Sequence, residues 1–162
     1  MNRIFLSLGS NLGDRSQNLK KGIGLLEQLA GKPGAKSSIY ETEPWGCDSD
    51  LNFYNQVIEL FTPLRPLPLL EAIHQIEEMC GRDRSSPRYA PRTLDIDILL
   101  YAGSVFEFPE LVVPHPNLQE RQFVLVPLTE IAPHVRHPIL NKDMEQLLRA
   151  CGDDKKIIQR LQ

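Results

Sequence analysis

The chain has 162 residues, a formal net charge of −3, and 18 Lys and Arg set against 21 Asp and Glu. That length gives one domain burying ~68–70% of its unfolded surface, with no room for a second catalytic domain, and the slight acidic excess excludes a nucleic-acid binder that works through a broad basic face. Cys47, Cys80 and Cys151 form neither a disulfide framework nor a paired metal motif, and the apolar run from Ile4 to Leu8 is too short for a signal peptide or a membrane span, so the expectation is a cytoplasmic protein with no membrane or nucleic-acid partner.

Arg3 to Leu8 reads as a buried strand running into the turn-rich stretch Gly9-Ser10-Asn11-Leu12-Gly13-Asp14. Without a Gly-Lys-Ser/Thr ending this is no Walker loop, and a tight strand-to-helix turn is the simpler reading. Asp14 with Gln17 fits a capping box; Leu19, Ile23, Leu26 and Leu29 recur on one face of the helix that follows, and Gly31 stops it. Lys36 to Thr42 and Phe53 to Phe61 are two further strands, separated by a loop too long for a tight hairpin. Trp45 in that loop has two readings, as cover for a flat ligand or as an anchor on the core. A second helix begins near Pro68 and ends at Gly81, with Leu69, Ile73, Ile76 and Cys80 as its buried stripe. His74 and Glu77 fall off that stripe, either as a solvated face or as contacts to a nucleotide.

The stretch Gly81 to Tyr101 carries the chemistry. Arg82, Arg84, Arg88 and Arg92 lie in a segment interrupted by Ser85, Ser86, Pro87 and Pro91, which reads as a loop. Guanidinium groups bind phosphate oxygens in pairs and stabilise charge that develops in phosphoryl transfer. From Thr93 to Tyr101 the pattern alternates as in a strand, so Asp95 and Asp97 share one face while Leu94, Ile96, Ile98 and Leu100 share the other. Two such carboxylates, uncompensated, call for a hard cation such as Mg²⁺, which leaves its other positions to water and phosphate. The composite points to metal-assisted polyphosphate chemistry; a polar edge strand after a solvated basic loop is the plain alternative.

Pro109 to Pro116 is stiff and holds His115 between two prolines. Whether His115 is structural or functional stays open at this level, and His134 and His137 receive no role. Asn117 and Glu120 resemble a capping box for a short helix carrying Arg121, ahead of the apolar run Phe123 to Leu128. A last helix covers Asp143 to Ala150, and the charged tail from Asp153 reads as peripheral. The order strand, helix, strand, strand, helix, strand predicts an α+β fold: a ferredoxin-like βαββαβ core with an antiparallel sheet, plus a C-terminal extension.

As a set, these residues resemble the 6-hydroxymethyl-7,8-dihydropterin pyrophosphokinase family. The resemblance rests on Gly9-Ser10-Asn11, Tyr40-Glu41-Thr42, Asn55, Gly81-Arg82, the block Pro91-Arg92-Thr93-Leu94-Asp95-Ile96-Asp97, Val113-Pro114-His115-Pro116, Arg121, Phe123-Val124-Leu125 and Glu130-Ile131-Ala132-Pro133. It implies one pyrophosphokinase domain over residues 1–162, acting as a monomer on ATP and a reduced pterin in folate biosynthesis and releasing AMP. It further implies that Asp95 and Asp97 hold two Mg²⁺ ions and that Arg82 and Arg92 act on the transition state. His115 and Arg121 resemble triphosphate contacts, with His74, Glu77, Arg84 and Arg88 near the nucleotide and Ile98 near its adenine. Thr42, Pro44, Trp45, Phe53, Asn55 and Phe123 resemble the pterin pocket, with Tyr89 closing over it. A metal-dependent hydrolase or nucleotidyltransferase on the same acidic strand, and a ferredoxin-like RNA-binding module, are the competing readings.

Overall fold

The computed structural model describes residues 1–44, 51–83, 85 and 91–161. β1 (Asn2–Ser10) leads into α1 (Arg15–Leu29), then β2 (Lys32–Lys36), β3 (Ile39–Thr42) and β4 (Phe53–Thr62); α2 (Pro66–Met79) crosses to β5 (Asp95–Tyr101). A small hairpin follows, β6 (Phe106–Glu107) with β7 (Val112–Val113), then a 3-10 turn at Leu118–Glu120, α3 (Gln122–Ile131), α4 (Met144–Ala150) and β8 (Ile157–Leu161). The main sheet is antiparallel in the order β5-β1-β4-β3-β8, with β2 on β4 as well. The first five strands and two helices run βαβββαβ, which is the expected βαββαβ arrangement with its second strand divided into β2 and β3.

The sheet is covered on both faces. One apolar layer joins Ile4, Leu6, Leu8, Ile58 and Leu60 to Leu19 and Leu26 of α1 and to Leu69, Ile73 and Ile76 of α2. The second joins Phe5, Val57, Leu99 and Leu100 to Val124, Leu125 and Leu128 of α3 and to Met144 and Leu147 of α4. Helix α1 starts on Asp14, whose carboxylate accepts the Gln17 N–H at 3.1 Å. Its inner face is Leu19, Gly22 and Leu26; Leu29, expected inside, is 43% exposed, and Ala30 closes the layer instead. Gly22 lets α1 approach β5 closely, since a Cβ there would lie 2.7 Å from Leu94 Cδ2.

Four further expectations change. The strand expected from Lys36 to Thr42 is two strands: at Ser37 the side-chain Oγ accepts the Val57 N–H at 3.0 Å while the Ser37 N–H donates to the Val57 carbonyl at 2.9 Å, breaking the ladder. Leu100 does not share a face with Ile96 and Ile98. Leu6 faces Ile98 but Phe5 faces Leu100, so Leu99 is a bulge residue, and beyond it Leu100 packs in the α3 layer and Tyr101 in the α1–α2 layer. The tail is not peripheral, because β8 pairs with β3 and completes the sheet edge. The segment after Asn117 is a 3-10 turn with no side-chain cap.

Candidate active site

Register places the site. Asp95, Gly9 and Asn55 form one row across β5, β1 and β4; Asp97, Ser7 and Val57 form the next. These side chains share the face that carries α3, at the end of the sheet where the apolar layer gives way to polar groups. Gly9 and Ser7 make a low floor: a Cβ at Gly9 would lie 3.0 Å from Asn55 Oδ1 and 3.4 Å from the Phe53 ring. With strands spaced ~4.8 Å apart, the carboxylate wall on β5 and the Asn55 wall on β4 stand ~10 Å apart.

On the β5 wall the carboxylates are not alike. Asp95 is bridged by two arginines, with Arg82 Nη1 at 2.7 Å from Oδ1 and Arg92 Nη1 at 3.2 Å from Oδ2. The expectation of two uncompensated charges therefore fails for Asp95: the arginine loop folds back on its own strand and supplies the counter-charge. Among the described residues, no arginine or lysine forms such a bridge to Asp97. Burial, reinforced by the neighbouring Asp95 and opposed by Arg121, pushes its carboxyl up to about 7.

Glu77 is on the inner face of α2, not off it, at 3% exposure. Its Oε2 accepts the Ile96 N–H at 2.9 Å and lies 3.4 Å from Arg82 Nη1. It thus closes the outer edge of β5 and sets the guanidinium that reaches Asp95. Asn11 does the equivalent for Arg92: its Oδ1 accepts the Arg92 N–H at 2.8 Å, and its own N–H donates to the Arg92 carbonyl at 3.2 Å. Sequence reading gave Asn11 no role of its own; an asparagine between Gly9 and Gly13 at the end of a strand was the available signal.

His115 is held over the bulge, its N–H donating to the Leu99 carbonyl at 3.0 Å. Its Nδ1 accepts the Asn117 N–H at 3.1 Å, which puts the ring proton on Nε2. Burial, helped by Arg121, pushes this imidazole down to about 4, so it is a neutral donor at ordinary pH. Arg121 ends in the same region, acting on both Asp97 and His115, with its guanidinium 5.5 Å from the Phe123 ring centroid.

The β4 wall is built on a buried pair, Asn55 Nδ2 donating to Thr42 Oγ1 at 2.6 Å. Phe53 faces Thr42 in register; Phe53, Pro44 and Phe123 are half-buried. His74 sits one turn before Glu77 on α2, half-buried. Ile98 does not join the site through its side chain, which is 4% exposed in the α1–α2 layer. A contact at that position has to come from its backbone, which by strand alternation faces the same open edge as Ile96. Trp45, Arg84, Arg88 and Tyr89 lie outside the described residues. His137 is structural: its Nδ1 accepts the N–H groups of Ile139 and Leu140 at 3.2 and 3.1 Å.

A sheet cleft with two carboxylates, one of them bridged by two arginines, a neutral histidine donor and a separate amide-and-aromatic wall defines an enzyme that moves phosphoryl groups between a nucleotide and a small flat acceptor. The family model of 7,8-dihydro-6-hydroxymethylpterin-pyrophosphokinase matches residues 5–133. The chain is 44% identical over 148 residues to the 2-amino-4-hydroxy-6-hydroxymethyldihydropteridine pyrophosphokinase of Bacillus subtilis, covering 90% of this chain and 88% of that one. It is 46% identical over 138 residues to the enzyme of the same name from Methylorubrum extorquens, covering 82% and 84%. It belongs to the hydroxymethyldihydropterin pyrophosphokinase family. Its fold is similar to solved HPPK-DHPS structures, among them one from Plasmodium falciparum at TM-score 0.74 and 18% identity. That match covers 92% of this chain but 43% of the fused one, so the chain spans less than half the length of those structures.

Proposed function

We propose a division of labour for the reaction this chain carries out, the ATP-dependent transfer of pyrophosphate to the hydroxymethyl group of 6-hydroxymethyl-7,8-dihydropterin in folate biosynthesis. The observation that carries it is the separation of two unlike walls across the Gly9–Ser7 floor. On the β5 side Asp95 and Asp97 would hold Mg²⁺, two ions by our reading. Their fit rests on Asp97, a half-buried carboxyl that its surroundings drive toward protonation and that a cation would keep ionised. When bound, Mg²⁺ neutralises phosphate oxygens and steadies the charge that shifts between them.

The chain's own groups do the rest. Because AMP is the leaving group, the hydroxymethyl oxygen forms its bond to the β-phosphorus as the bond from that phosphorus to the α–β bridging oxygen breaks; the hydroxyl proton is lost. Arg82 and Arg92, set by Glu77 and Asn11, face this transfer and stabilise the added charge. Nε2–H of His115 and the Arg121 guanidinium donate to the nucleotide's phosphates, with His74 nearby. Thr42, Pro44, Phe53, Asn55 and Phe123 take the pterin, the amide reading its edge and the rings its faces. Trp45, Arg84, Arg88 and Tyr89 complete the two sides in the same reading. Both apolar layers share one sheet, which supports reading residues 1–162 as one pyrophosphokinase domain, acting as a cytoplasmic monomer.

Product analysis tests this directly. Incubated with ATP, Mg²⁺ and the reduced pterin, the chain should yield AMP and pterin diphosphate in equal amounts. AMP or ADP released without the pterin would favour a hydrolase, and retention of RNA without Mg²⁺ would favour the RNA-binding alternative.

A further inference from the structure

We propose that the segment from Asp153 to Ile157, which lies beyond the residues matched by the family model, positions the pterin side of the site, with Asp153 as the positioning residue that sets pterin affinity rather than transfer rate. The inference rests on the function proposed above.

Two junctions carry it. Asp153 Oδ2 accepts the Gln122 N–H at 3.0 Å, while its Oδ1 accepts the Lys155 N–H at 2.9 Å. Gln122 opens α3, and the first N–H groups of a helix have no carbonyl within it to bond. Arg121, at the N-cap position, supplies no side-chain cap. The carboxylate of Asp153 therefore caps α3 from 31 residues away, placing negative charge at the positive end of the helix. The next residue in that turn is Phe123.

Three residues beyond Asp153, the Lys156 N–H donates to Glu43 Oε2 at 3.2 Å, and the Lys156 carbonyl accepts the Glu43 N–H at 3.2 Å. Ile157 then pairs with Thr42. Glu43 stands between Thr42, which accepts from Asn55, and Pro44. One short stretch is thus fastened both to the start of α3 and to the end of β3. Of those two elements, α3 carries Phe123 and β3 carries Thr42, which in turn holds Asn55 of β4. A pocket for a flat ring needs its walls at a fixed spacing, and loosening that spacing weakens binding of the ring while leaving the phosphate contacts on β5 intact.

Steady-state kinetics on the full chain, varying pterin and ATP separately, tests the proposal. Asp153→Ala should raise the pterin KM about fivefold and hold kcat within about twofold of the parent, while the ATP KM, reached only through Arg121 beside the cap, rises by less than the pterin KM. Asp153→Asn, which keeps one acceptor oxygen, should fall between the two. Arg160→Ala cuts the ties of β8 to Glu130 and Ser38 farther along the strand, and should lower the melting temperature without moving the pterin KM. A pterin KM unchanged in Asp153→Ala, or raised in step with the ATP KM, overturns the proposal. Should that variant fail to fold, an unchanged KM in Asp153→Asn overturns it equally. A parent chain that makes no pterin-dependent AMP removes the proposed function and this inference together, and is recognised before any variant is assayed.

Discussion

Asp95 and Asp97 are two residues apart on one face, yet their surroundings give them opposite behaviour in the metal-free protein. Asp95 spends both oxygens on Arg82 and Arg92, whereas burial and the Asp95 charge hold the Asp97 carboxyl up to about 7. A carboxyl whose pKa is raised on folding favours the folded state only while protonated. The penalty it adds therefore begins as pH rises above the ordinary aspartate range and is complete above about 7. Asp97→Asn should accordingly stabilise the metal-free protein at neutral pH by about 1–3 kcal/mol, with the gain vanishing below about pH 4. Asp95→Asn should bring no such gain, because it strips two guanidinium groups of a shared acceptor. Thermal unfolding of both variants across that pH range, without Mg²⁺, checks the contrast; equal shifts would contradict it. His115 gives a second test. With Nδ1 occupied by the Asn117 N–H and its pKa pushed down to about 4, its ring should remain the Nε2–H tautomer from about pH 5 to 8 by ¹⁵N NMR. A titration centred near the ordinary histidine value would contradict the assigned burial.

The α2–β5 junction shows how elements turn separate charges into a site. Glu77 leaves α2 on its buried face and meets both the Ile96 N–H and Arg82, so one carboxylate fixes the strand edge and the arginine that reaches Asp95. Glu77→Ala should cost ~2–3 kcal/mol of stability, because a buried backbone donor and a guanidinium lose their acceptor. It should also lower kcat more than it raises the pterin KM; Glu77→Gln, which retains an acceptor, should lose less of both. Denaturant unfolding with steady-state kinetics measures this, and an unchanged kcat in the alanine variant would count against Arg82 as a transition-state group. Helical periodicity alone misplaced Glu77, since a glutamate beside a leucine and isoleucine stripe reads as solvated until its partners are known.

Across the whole molecule, the two apolar layers carry unequal functional weight. The α1–α2 layer supports the sheet from behind; the α3–α4 layer lies on the site's own face, and α3 carries Phe123 in its first turn and follows Arg121. Leu26 and Leu128 are both fully buried, one in each layer. Leu26→Ala and Leu128→Ala should each destabilise by ~2–5 kcal/mol. Only the second should also raise KM for the substrates per folded molecule, by loosening α3 over the site. Titration of active sites alongside unfolding separates these effects, and matching kinetics in the two variants would mean that α3 needs no support from its own layer to hold Phe123 and Arg121.

Local pattern in the sequence was enough for the βαββαβ order, the N-cap at Asp14, the stripe of α2, and the acidic face of β5 up to Ile98. It also sufficed to bring Asp95 beside Arg82 and Arg92, because a loop and the strand it runs into meet without help from distant segments. What it left undecided depends on returns of the chain. The run Ile98-Leu99-Leu100-Tyr101 is apolar throughout, so no periodicity marks Leu99 as the bulge; its position follows from pairing with β1. The tail looks like a charged end until β3 offers it an open edge. Asn11 meets Arg92 across 81 residues and Glu43 meets Lys156 across 113. Such bonds satisfy backbone groups that only packing buries, and nothing in the neighbouring residues announces which distant partner will satisfy them.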